Sequence, residues 1–285
     1  MKYAALMFDI VESRRYQDRF DIQNIMMSAV HYLNALYRES IKKNVVSSAG
    51  DEFQGLFLNL SSAFLYIRKL QLLVYPIKIR CGIGFGEIKY DVENWSSPSF
   101  DGEAYYLARE AITQISKCKD NAICFHTQSQ FDRYLNMLCF SNAEIKSHQS
   151  RVARWIELLT DIILPLRQAT EDPSFYESIS DTRQKIIDAE PWNKVYGKAK
   201  DIESFHTDFG VLFQKSNEFT VKKNPRNALF VDEFWTYGMT TVLSQALDAS
   251  RQNLDRYITL GKIKESRTMD KAIYELLEEE IWQVF

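Results

Sequence analysis

The first 125 residues switch between two patterns of apolar positions, one typical of strands and one typical of helices. Tyr3–Ile10 is a continuous apolar run whose length and charged borders predict a buried central strand. Val45–Ala49 and Phe53–Leu58 are shorter apolar runs on either side of a Gly-Asp-Glu turn. Because Gly and Asp supply tight turns, these two runs predict a β-hairpin.

Three helical segments are predicted around these strands. Residues 15–43 carry apolar side chains at steps of three and four, which predicts one or two helices. Leu60–Leu73 continues the same period, with Asn59 or Ser61 as its candidate N-cap. Gly102–Cys118 carries a single apolar stripe and predicts a further helix.

Two more strands complete the pattern. Ile77–Ile88 alternates between large apolar residues and small or charged ones, with Gly82, Gly84 and Gly86 on the second face. A face so poor in side chains allows either a nucleotide or a helix to lie close to the sheet, and helix packing is the favoured interpretation. Asn121–Phe125 is the fifth predicted strand.

The order of these elements is strand, helix, strand, strand, helix, strand, helix, strand. It predicts an α+β fold with a ferredoxin-like palm, in which helices cover one face of an antiparallel sheet. After about residue 145 the strand signal fades, which predicts an all-helical region. We therefore predict a palm domain at 1–145, a helical connector of unassigned role at 146–235 and a helix-turn-helix-like domain at 236–285.

Composition and charge exclude several classes of protein. The 285 residues are 46% hydrophobic and 26% charged, which excludes a disordered tail or a collagen. The net charge of −3 gives no global basic field for nucleic acid. The four cysteines form no CxxC pair, and there is neither a secretory leader nor a run of 18 apolar residues. A cytoplasmic protein with free thiols and no membrane span is predicted.

Three acidic residues are candidate metal ligands. Asp9 ends the first predicted strand, while Asp51 and Glu52 lie in the hairpin turn. Because the central strands of a palm are neighbours, the strand end and the turn can meet. Carboxylates there could hold one or two Mg²⁺ (or Mn²⁺) ions and leave coordination positions for substrate phosphates. Taken singly, each acid is more typical of an ordinary strand end or turn than of a metal site, and the hypothesis depends on their joint occurrence in this strand order.

These segments resemble a known superfamily. Phe8–Ser13 (FDIVES), Ser48–Phe57 (SAGDEFQGLF) and Ile79–Ile88 (IRCGIGFGEI) are similar to the palm core of class III nucleotidyl cyclases and GGDEF-type diguanylate cyclases. Asp101–Ala111 resembles the DGxAxxxARxA helix of SatD-like bacterial proteins, which end in a helix-turn-helix. The resemblance covers residues 1–125 and, less fully, 236–267.

The resemblance implies a nucleotide site and a role for several residues. Asp9 and Asp51 match the metal-binding aspartates, with Glu52 as a third candidate ligand. Arg109 is the nearest match to the arginine that steadies the reacting phosphates. The nucleotide-binding positions implied are Ile10, Val11, Ser13, Gly50 and Tyr106. Cyclases of this superfamily complete their sites between two subunits, so a homodimer is also implied.

The hairpin has Ala49-Gly50 where diguanylate cyclases have Gly-Gly, and two positions of the predicted helix also depart from the cyclase pattern. Tyr106 stands where cyclases carry the Asn that positions the ribose. Arg109 follows Gly102 by seven residues instead of eight, and one residue is a rotation of about 100° on a helix. No lysine in a recognisable motif serves a triphosphate, and the remaining candidates for that contact are Arg14, Arg15 and Lys117.

Three functions therefore stay open. The first is a regulatory protein that binds a nucleoside triphosphate or cyclic nucleotide with Mg²⁺ and carries a helix-turn-helix output. The second is an active nucleotidyl cyclase or nucleotidyltransferase that makes a cyclic or oligonucleotide signal. The third is a catalytically dead palm that serves as a structural dimer.

The C-terminal segment has the shape of a helix-turn-helix in sequence. Thr240–Leu247 predicts a short helix capped by Thr240, and Ser250 caps a second helix that Gly261 ends. The second helix could enter a DNA major groove. Its candidate base-reading residues are Arg251, Gln252, Asn253 and Arg256. A module for helix packing or dimerisation is an equally open interpretation.

Overall fold

The structure is a computed structural model that describes residues 1–16, 19–88, 102–167, 174–189, 207–216, 219 and 231–279. Its five strands are β1 (Lys2–Ile10), β2 (Ile41–Ala49), β3 (Glu52–Phe57), β4 (Ile79–Glu87) and β5 (Ala122–His126). The helices of the first 167 residues are α1 (Arg19–Leu36), α2 (Leu60–Leu73), α3 (Glu103–Gln114), α4 (Asp132–Ser147) and α5 (Arg151–Ile163). The described helices that follow are α6 (Ser174–Asp188), α7 (Phe209–Ser216), α8 (Met239–Ala246), α9 (Arg251–Leu260) and α10 (Ile263–Glu278).

One five-stranded sheet forms the first part of the fold, in the order β2-β3-β1-β4-β5. Strands β1 to β4 pair antiparallel with one another, and helices α1 and α2 lie between them in sequence, which is the βαβ–βαβ order of a ferredoxin-like palm. The predicted α+β class and palm topology are confirmed. Strand β1 occupies the centre because it is apolar along nearly its whole length.

Two details of the predicted sheet are wrong. Strand β5 is parallel to β4, so the sheet is mixed and not antiparallel throughout. In addition, helices cover both faces: α1 and α2 pack on one, while α3 packs against β1 and β4 on the other. The reason is that β5 follows β4 through α3, and a parallel pair requires such a crossover helix.

The glycines of β4 accommodate α3. A Cβ added at Gly82 or Gly84 would lie closer than 3.0 Å to the carbonyl oxygen of Ala108 or Ala104 in that helix. Helix packing, the favoured interpretation of this face, is therefore confirmed. The absent side chains let the backbone of α3 approach the sheet directly.

The helical caps agree with the sequence at two of three predicted positions. Asn59 accepts a hydrogen bond from the amide of Ser62 at the start of α2, and Ser250 accepts one from Asn253 at the start of α9. Thr240 is not a cap. Helix α8 begins one residue earlier, after Gly238 in the left-handed region, and Thr240 is buried in its first turn.

A second layer of helices covers α2 on the side away from the sheet. Helix α5 is buried along its length and contacts α2, α7, α8 and α9, while α10 contacts α2 and α4. The predicted boundaries at residues 145 and 235 stay predictions. Much of the predicted connector, at 168–173, 190–206, 217–218 and 220–230, lies outside the described residues.

All eight buried charged side chains of the described residues meet in this helical layer. We call them the buried charge cluster, and its members are Arg68, Lys69, Lys146, Arg154, Glu157, Asp161, Arg267 and Asp270. The four cysteines are free, and three of them are buried. Within the described parts of the chain, no helix combines the length and the apolar character needed to cross a bilayer.

Candidate functional site

A pocket of about 380 Å³ opens where the end of β1, the turn between β2 and β3 and the start of α1 come together. This volume falls in the range of small-molecule sites. Its apolar wall comes from Ile10, Ile22 and Phe53, and Phe53 is held by stacking on Phe8 at 5.0 Å between ring centroids. The pocket therefore lies on the face of the sheet that α1 covers.

Two arginines and a serine supply the basic side of this pocket. Ser13 and Arg14 belong to a 3-10 turn directly after β1, and Arg19 begins α1. Both arginines are exposed, and neither forms an ion pair within the described residues. Arg15, between them, instead pairs with Glu12 at 2.8 Å. Two unpaired guanidinium groups and a hydroxyl suit the oxygens of a phosphate group.

Asp51 supplies the acidic side of the pocket. It occupies the turn between β2 and β3, where Gly50 has a φ of +61°, a left-handed conformation that glycine adopts without strain. Asp51 is half-buried and makes no hydrogen bond or ion pair with another described residue. Its carboxylate is therefore available to a cation or to a ligand hydroxyl.

Asp9 lies on the opposite face of the sheet. Successive side chains of a strand point to opposite faces, so Ile10 faces α1 whereas Asp9 faces α3. Its direct cross-strand neighbours are Glu52 on β3 and Arg80 on β4. The Nε and Nη2 groups of Arg80 each donate to one carboxylate oxygen of Asp9 at 2.9 Å. Arg80 also donates to the backbone oxygen of Ser116, just after α3.

Glu52 is engaged in a second pair of the same kind. The two terminal nitrogens of Arg109 on α3 lie 2.8 and 2.9 Å from its carboxylate oxygens. Arg109 also borders a wide groove between α3 and α4, in which His126 lies 3.1 Å from Glu110. Arg109, the nearest match to the arginine that steadies the reacting phosphates, therefore forms an ion pair with Glu52, the third candidate metal ligand.

The structure brings together four of the sequence-predicted site residues and separates the others. Ile10, Ser13, Gly50 and Asp51 line the pocket. Asp9, Glu52 and Arg109 lie on the other side of the sheet, and Tyr106 is 54% exposed on the outer side of α3. The amide of Val11 already donates to Lys78 O at 2.9 Å, so it is not free to bind a phosphate.

Sequence reasoning missed Arg19 and Arg80. Arg80 stands at a charged position of the alternating strand β4, and the antiparallel pairing of β1 with β4 would have placed it opposite Asp9. Arg19 gave no signal, because an arginine near the start of a helix is common on protein surfaces. Of the three basic candidates for a triphosphate, only Arg14 lines the pocket.

The residues present fit one divalent cation that arrives with phosphates. Across the described residues, no three His, Cys, Asp or Glu side chains are grouped so that they could hold a metal ion. Mg²⁺ is often bound by one or two carboxylates, with substrate phosphates and water completing its shell. Asp51 can supply one carboxylate in this way, whereas the oxygens of Asp9 and Glu52 already accept hydrogen bonds from arginines.

The predicted DNA-reading residues lie on one surface of α9. Helices α8 and α9 are joined by residues 247–250, and Leu254 and Ile258 bury the inner side of α9. The four predicted side chains are all exposed: Arg251, Gln252, Asn253 and Arg256. Asp255 lies among them, 3.9 Å from Arg251.

The fold and the pocket define an α+β protein whose ferredoxin-like sheet is extended by a fifth strand and carries a polar cavity beside its central strand. The chain belongs to the SatD family, whose sequence model matches residues 3–179. No curated protein is detectably similar in sequence. Among solved structures, a bacterial light-regulated adenylyl cyclase matches with a TM-score of 0.32 and 10% identity. The match covers 44% of this chain and 43% of the cyclase chain.

Proposed function

We propose that the protein binds a nucleoside triphosphate or a cyclic nucleotide, together with Mg²⁺ or Mn²⁺, in the pocket beside β1. The observation that carries this proposal is the convergence of Arg14, Arg19 and Asp51 on one cavity of about 380 Å³. Two cationic groups face one carboxylate across a space of the size that small-molecule ligands need. The protein would act as a cytoplasmic regulatory protein whose nucleotide state is read by a partner.

The chain's own residues divide the recognition of the ligand between them. Arg14 and Arg19 bind phosphate oxygens, for which the planar guanidinium is well matched. Ser13 donates a hydroxyl hydrogen bond to the same group, and the apolar wall formed by Ile22 and Phe53 excludes water. Asp51 would hold the divalent cation, which neutralises phosphate charge when bound.

Nucleotide-induced stabilisation tests this proposal. The melting temperature is measured with ATP, GTP and their cyclic monophosphates, each with and without Mg²⁺. A ligand present at a hundred times its Kd stabilises the folded state by about 2.7 kcal/mol, so at least one of these nucleotides should raise the melting temperature. The double variant Arg14→Gln/Arg19→Gln should abolish the shift, and Asp51→Asn should abolish its Mg²⁺ dependence.

Arg15→Gln is the matched control. It removes an adjacent arginine whose guanidinium is held by Glu12 and not by the pocket, so it should keep the full shift. The absence of any shift in the natural protein, or equal losses in all the arginine variants, would contradict the proposal. Incubation with labelled triphosphates then separates binding from turnover, because a cyclase or nucleotidyltransferase yields a new product.

A DNA-binding output is a second proposal, and the exposed polar surface of α9 supports it. Arg251 and Arg256 would contact phosphates or base edges, with Gln252 and Asn253 beside them. A gel shift should weaken with rising salt and with the double variant Arg251→Ala/Arg256→Ala. Arg38→Ala, which removes an exposed arginine outside this surface, is the control.

The homodimer implied by the family resemblance is also a proposal. Sedimentation velocity with and without nucleotide tests it directly. A monomer under both conditions would contradict a site shared between subunits, but it would leave the pocket of one chain able to bind by itself.

A further inference from the structure

We propose that Arg80 occupies Asp9 as its permanent cationic partner and excludes metal from it, so that the protein takes a single divalent cation, at Asp51, when a nucleotide binds. This inference rests on the proposed nucleotide and metal binding and states how many cations that binding involves. It assigns to Arg80, which no sequence pattern singled out, the role of excluding metal from Asp9.

The backbone fixes Arg80 in front of Asp9. The two residues are directly paired in the register of β1 and β4, so their side chains leave the same face of the sheet next to each other. Both carboxylate oxygens of Asp9 accept from the guanidinium at 2.9 Å, in the two-point geometry that matches arginine to a carboxylate. The third contact, to Ser116 O, holds the guanidinium from the side of α3.

This pair resists replacement by a metal ion. The side chains of Arg80 and Asp9 are only 16% and 27% exposed, so solvent screens the pair less than a surface pair. A cation bound to Asp9 would have to break two charge-assisted hydrogen bonds. It would then lie beside a half-buried positive charge with no alternative carboxylate, because Glu52 is held by Arg109.

The charge balance on this face leads to the same conclusion. Two carboxylates, Asp9 and Glu52, face two guanidinium groups, Arg80 and Arg109, so no negative charge is left over to attract a divalent cation. On the α1 face, Asp51 has no such partner among the described residues. The carboxylate of Asp51 is therefore accessible to a metal ion, whereas those of Asp9 and Glu52 are occupied by their arginine partners.

A single cation limits the chemistry of the site. Two-metal phosphoryl transfer uses ions about 3.5–4 Å apart, which stabilise the attacking and the leaving oxygen together. Asp9 faces α3 and is held by Arg80, so the pocket lined by Asp51 can bind a phosphate–metal complex but has no second carboxylate for another ion. The expected behaviour is nucleotide binding without turnover by a two-metal route.

Counting bound Mn²⁺ tests the inference. Free Mn²⁺ is followed by electron paramagnetic resonance while the full-length protein is titrated with saturating β,γ-imido-ATP or β,γ-imido-GTP, which cannot be hydrolysed at the terminal phosphate. The natural protein should bind one Mn²⁺ per chain. Asp9→Asn should leave the number and the affinity unchanged, whereas Asp51→Asn should weaken Mn²⁺ by about tenfold or more, the loss of one principal ligand contact.

Variants of Arg80 provide the decisive comparison. Arg80→Met should open a second Mn²⁺ site, and the added Asp9→Asn substitution should close it again. Arg80→Lys keeps a positive charge and should stay at one Mn²⁺ per chain. Circular dichroism and urea unfolding identify any variant that does not fold. If Arg80→Met does not fold, the number of Mn²⁺ ions bound by Asp9→Asn and by Arg80→Lys still tests whether Asp9 binds metal.

The outcomes separate this inference from the function on which it rests. Two Mn²⁺ per chain in the natural protein, or loss of Mn²⁺ in Asp9→Asn, would overturn the role of Arg80 while nucleotide binding stands. An Arg80→Met variant that folds and still binds one Mn²⁺ would also overturn it. No nucleotide-induced stabilisation and no bound Mn²⁺ in the natural protein would overturn both proposals together.

Discussion

Arg68 on α2 and Asp270 on α10 form a buried ion pair across 202 residues of sequence. Each side chain is 2% exposed. Arg68 also donates to Asp161 on α5 at 2.7 Å, and Lys146 on α4 donates to both oxygens of Asp270 at 2.8 and 3.0 Å. One ionic network thus joins a helix that packs on the sheet to the last described helix of the chain.

Removing one partner of this network should destabilise the protein strongly. Arg68→Met leaves Asp161 and Asp270 with fewer positive partners in a buried environment, and such losses cost about 3–5 kcal/mol. Urea unfolding of Arg68→Met and Asp270→Asn measures this loss. The exposed Arg38–Glu39 pair is the control, because breaking it with Glu39→Gln should cost no more than about 1 kcal/mol.

Stability should fall as the pH is lowered through the acidic range. Burial by itself raises the pKa of Asp161, but the charges of Arg68, Lys69 and Arg267 outweigh burial and hold that pKa below the ordinary value of an aspartate. Burial is likewise outweighed at Asp270, whose pKa is also lowered, chiefly by Arg68 and Lys146.

The sign of this pH dependence follows from protonation of the unfolded chain. Its aspartates titrate near pH 3.9, above the pKa values of Asp161 and Asp270 in the folded protein, so the unfolded chain binds more protons there. The stability contribution is complete above about pH 5 and declines below about pH 4. Urea unfolding from pH 3 to pH 7 should show this decline, and it should be shallower in Asp270→Asn. Equal slopes in both proteins would contradict the assignment to Asp270.

A methyl group on the β4 glycines should separate α3 from the sheet. The Cβ of Gly84→Ala would overlap backbone atoms of Ala104 and Ala108, which cannot move without displacing the helix. Overpacking of this kind costs about 1–3 kcal/mol. In Gly86→Ala the nearest atom belongs to the flexible carboxylate of Glu103, so the loss in unfolding free energy should be smaller. Equal losses would contradict direct backbone packing.

Asparagine side chains form hydrogen bonds with the backbone of β5 and β2, the two outer strands of the sheet. Asn136 on α4 accepts from the amide of Phe125 at 2.7 Å and donates to its carbonyl at 2.9 Å, as a neighbouring strand would. Asn34 on α1 makes the same two bonds to Val45, at 3.1 and 2.8 Å. Unpaired backbone groups at sheet edges invite association with other chains.

Asn136→Leu should therefore lower stability and increase self-association. The variant leaves the amide and the carbonyl of Phe125 without their partner, which costs about 1–3 kcal/mol per unsatisfied buried group. Urea unfolding and light scattering measure the two effects. Asn24→Leu, an exposed position on α1, is the control for added surface hydrophobicity. Scattering that rises equally in both variants would contradict edge protection.

The sheet was largely predictable from sequence, and the exceptions have physical causes. A continuous apolar run located β1, the Gly-Asp-Glu turn located the start of β3, and alternation located β4, because the side chains of all three strands pack on a core. The start of β2 was missed: Lys42 to Asn44 are polar, and the register of this outer strand shifts repeatedly against β3. Helix α4 was also missed, since Tyr134 and Met137 place apolar groups on its exposed side and blur the stripe.

The candidate site was only partly predictable. The strand order suggested that Asp9 and Asp51 lie close together. Which face of the sheet a strand residue points to depends on its place in the alternation of side chains along the strand. Asp51 lies in a turn, where this alternation does not apply. The buried charge cluster escaped prediction for a different reason. Arg68 and Lys69 resemble the solvated side of an ordinary amphipathic helix until α5 and α10 pack over them.

The family model ends at residue 179, but the ionic network continues beyond that residue to Asp270. A shortened chain that stopped there would keep Arg68 and Lys146 and lose Asp270, their shared counterion. The parts of α2 and α4 that α10 covers would then face water, with Asp161 left beside Arg68 and Glu157 left beside Lys146. A fragment that ends at residue 179 should therefore be less stable than a chain that includes α10.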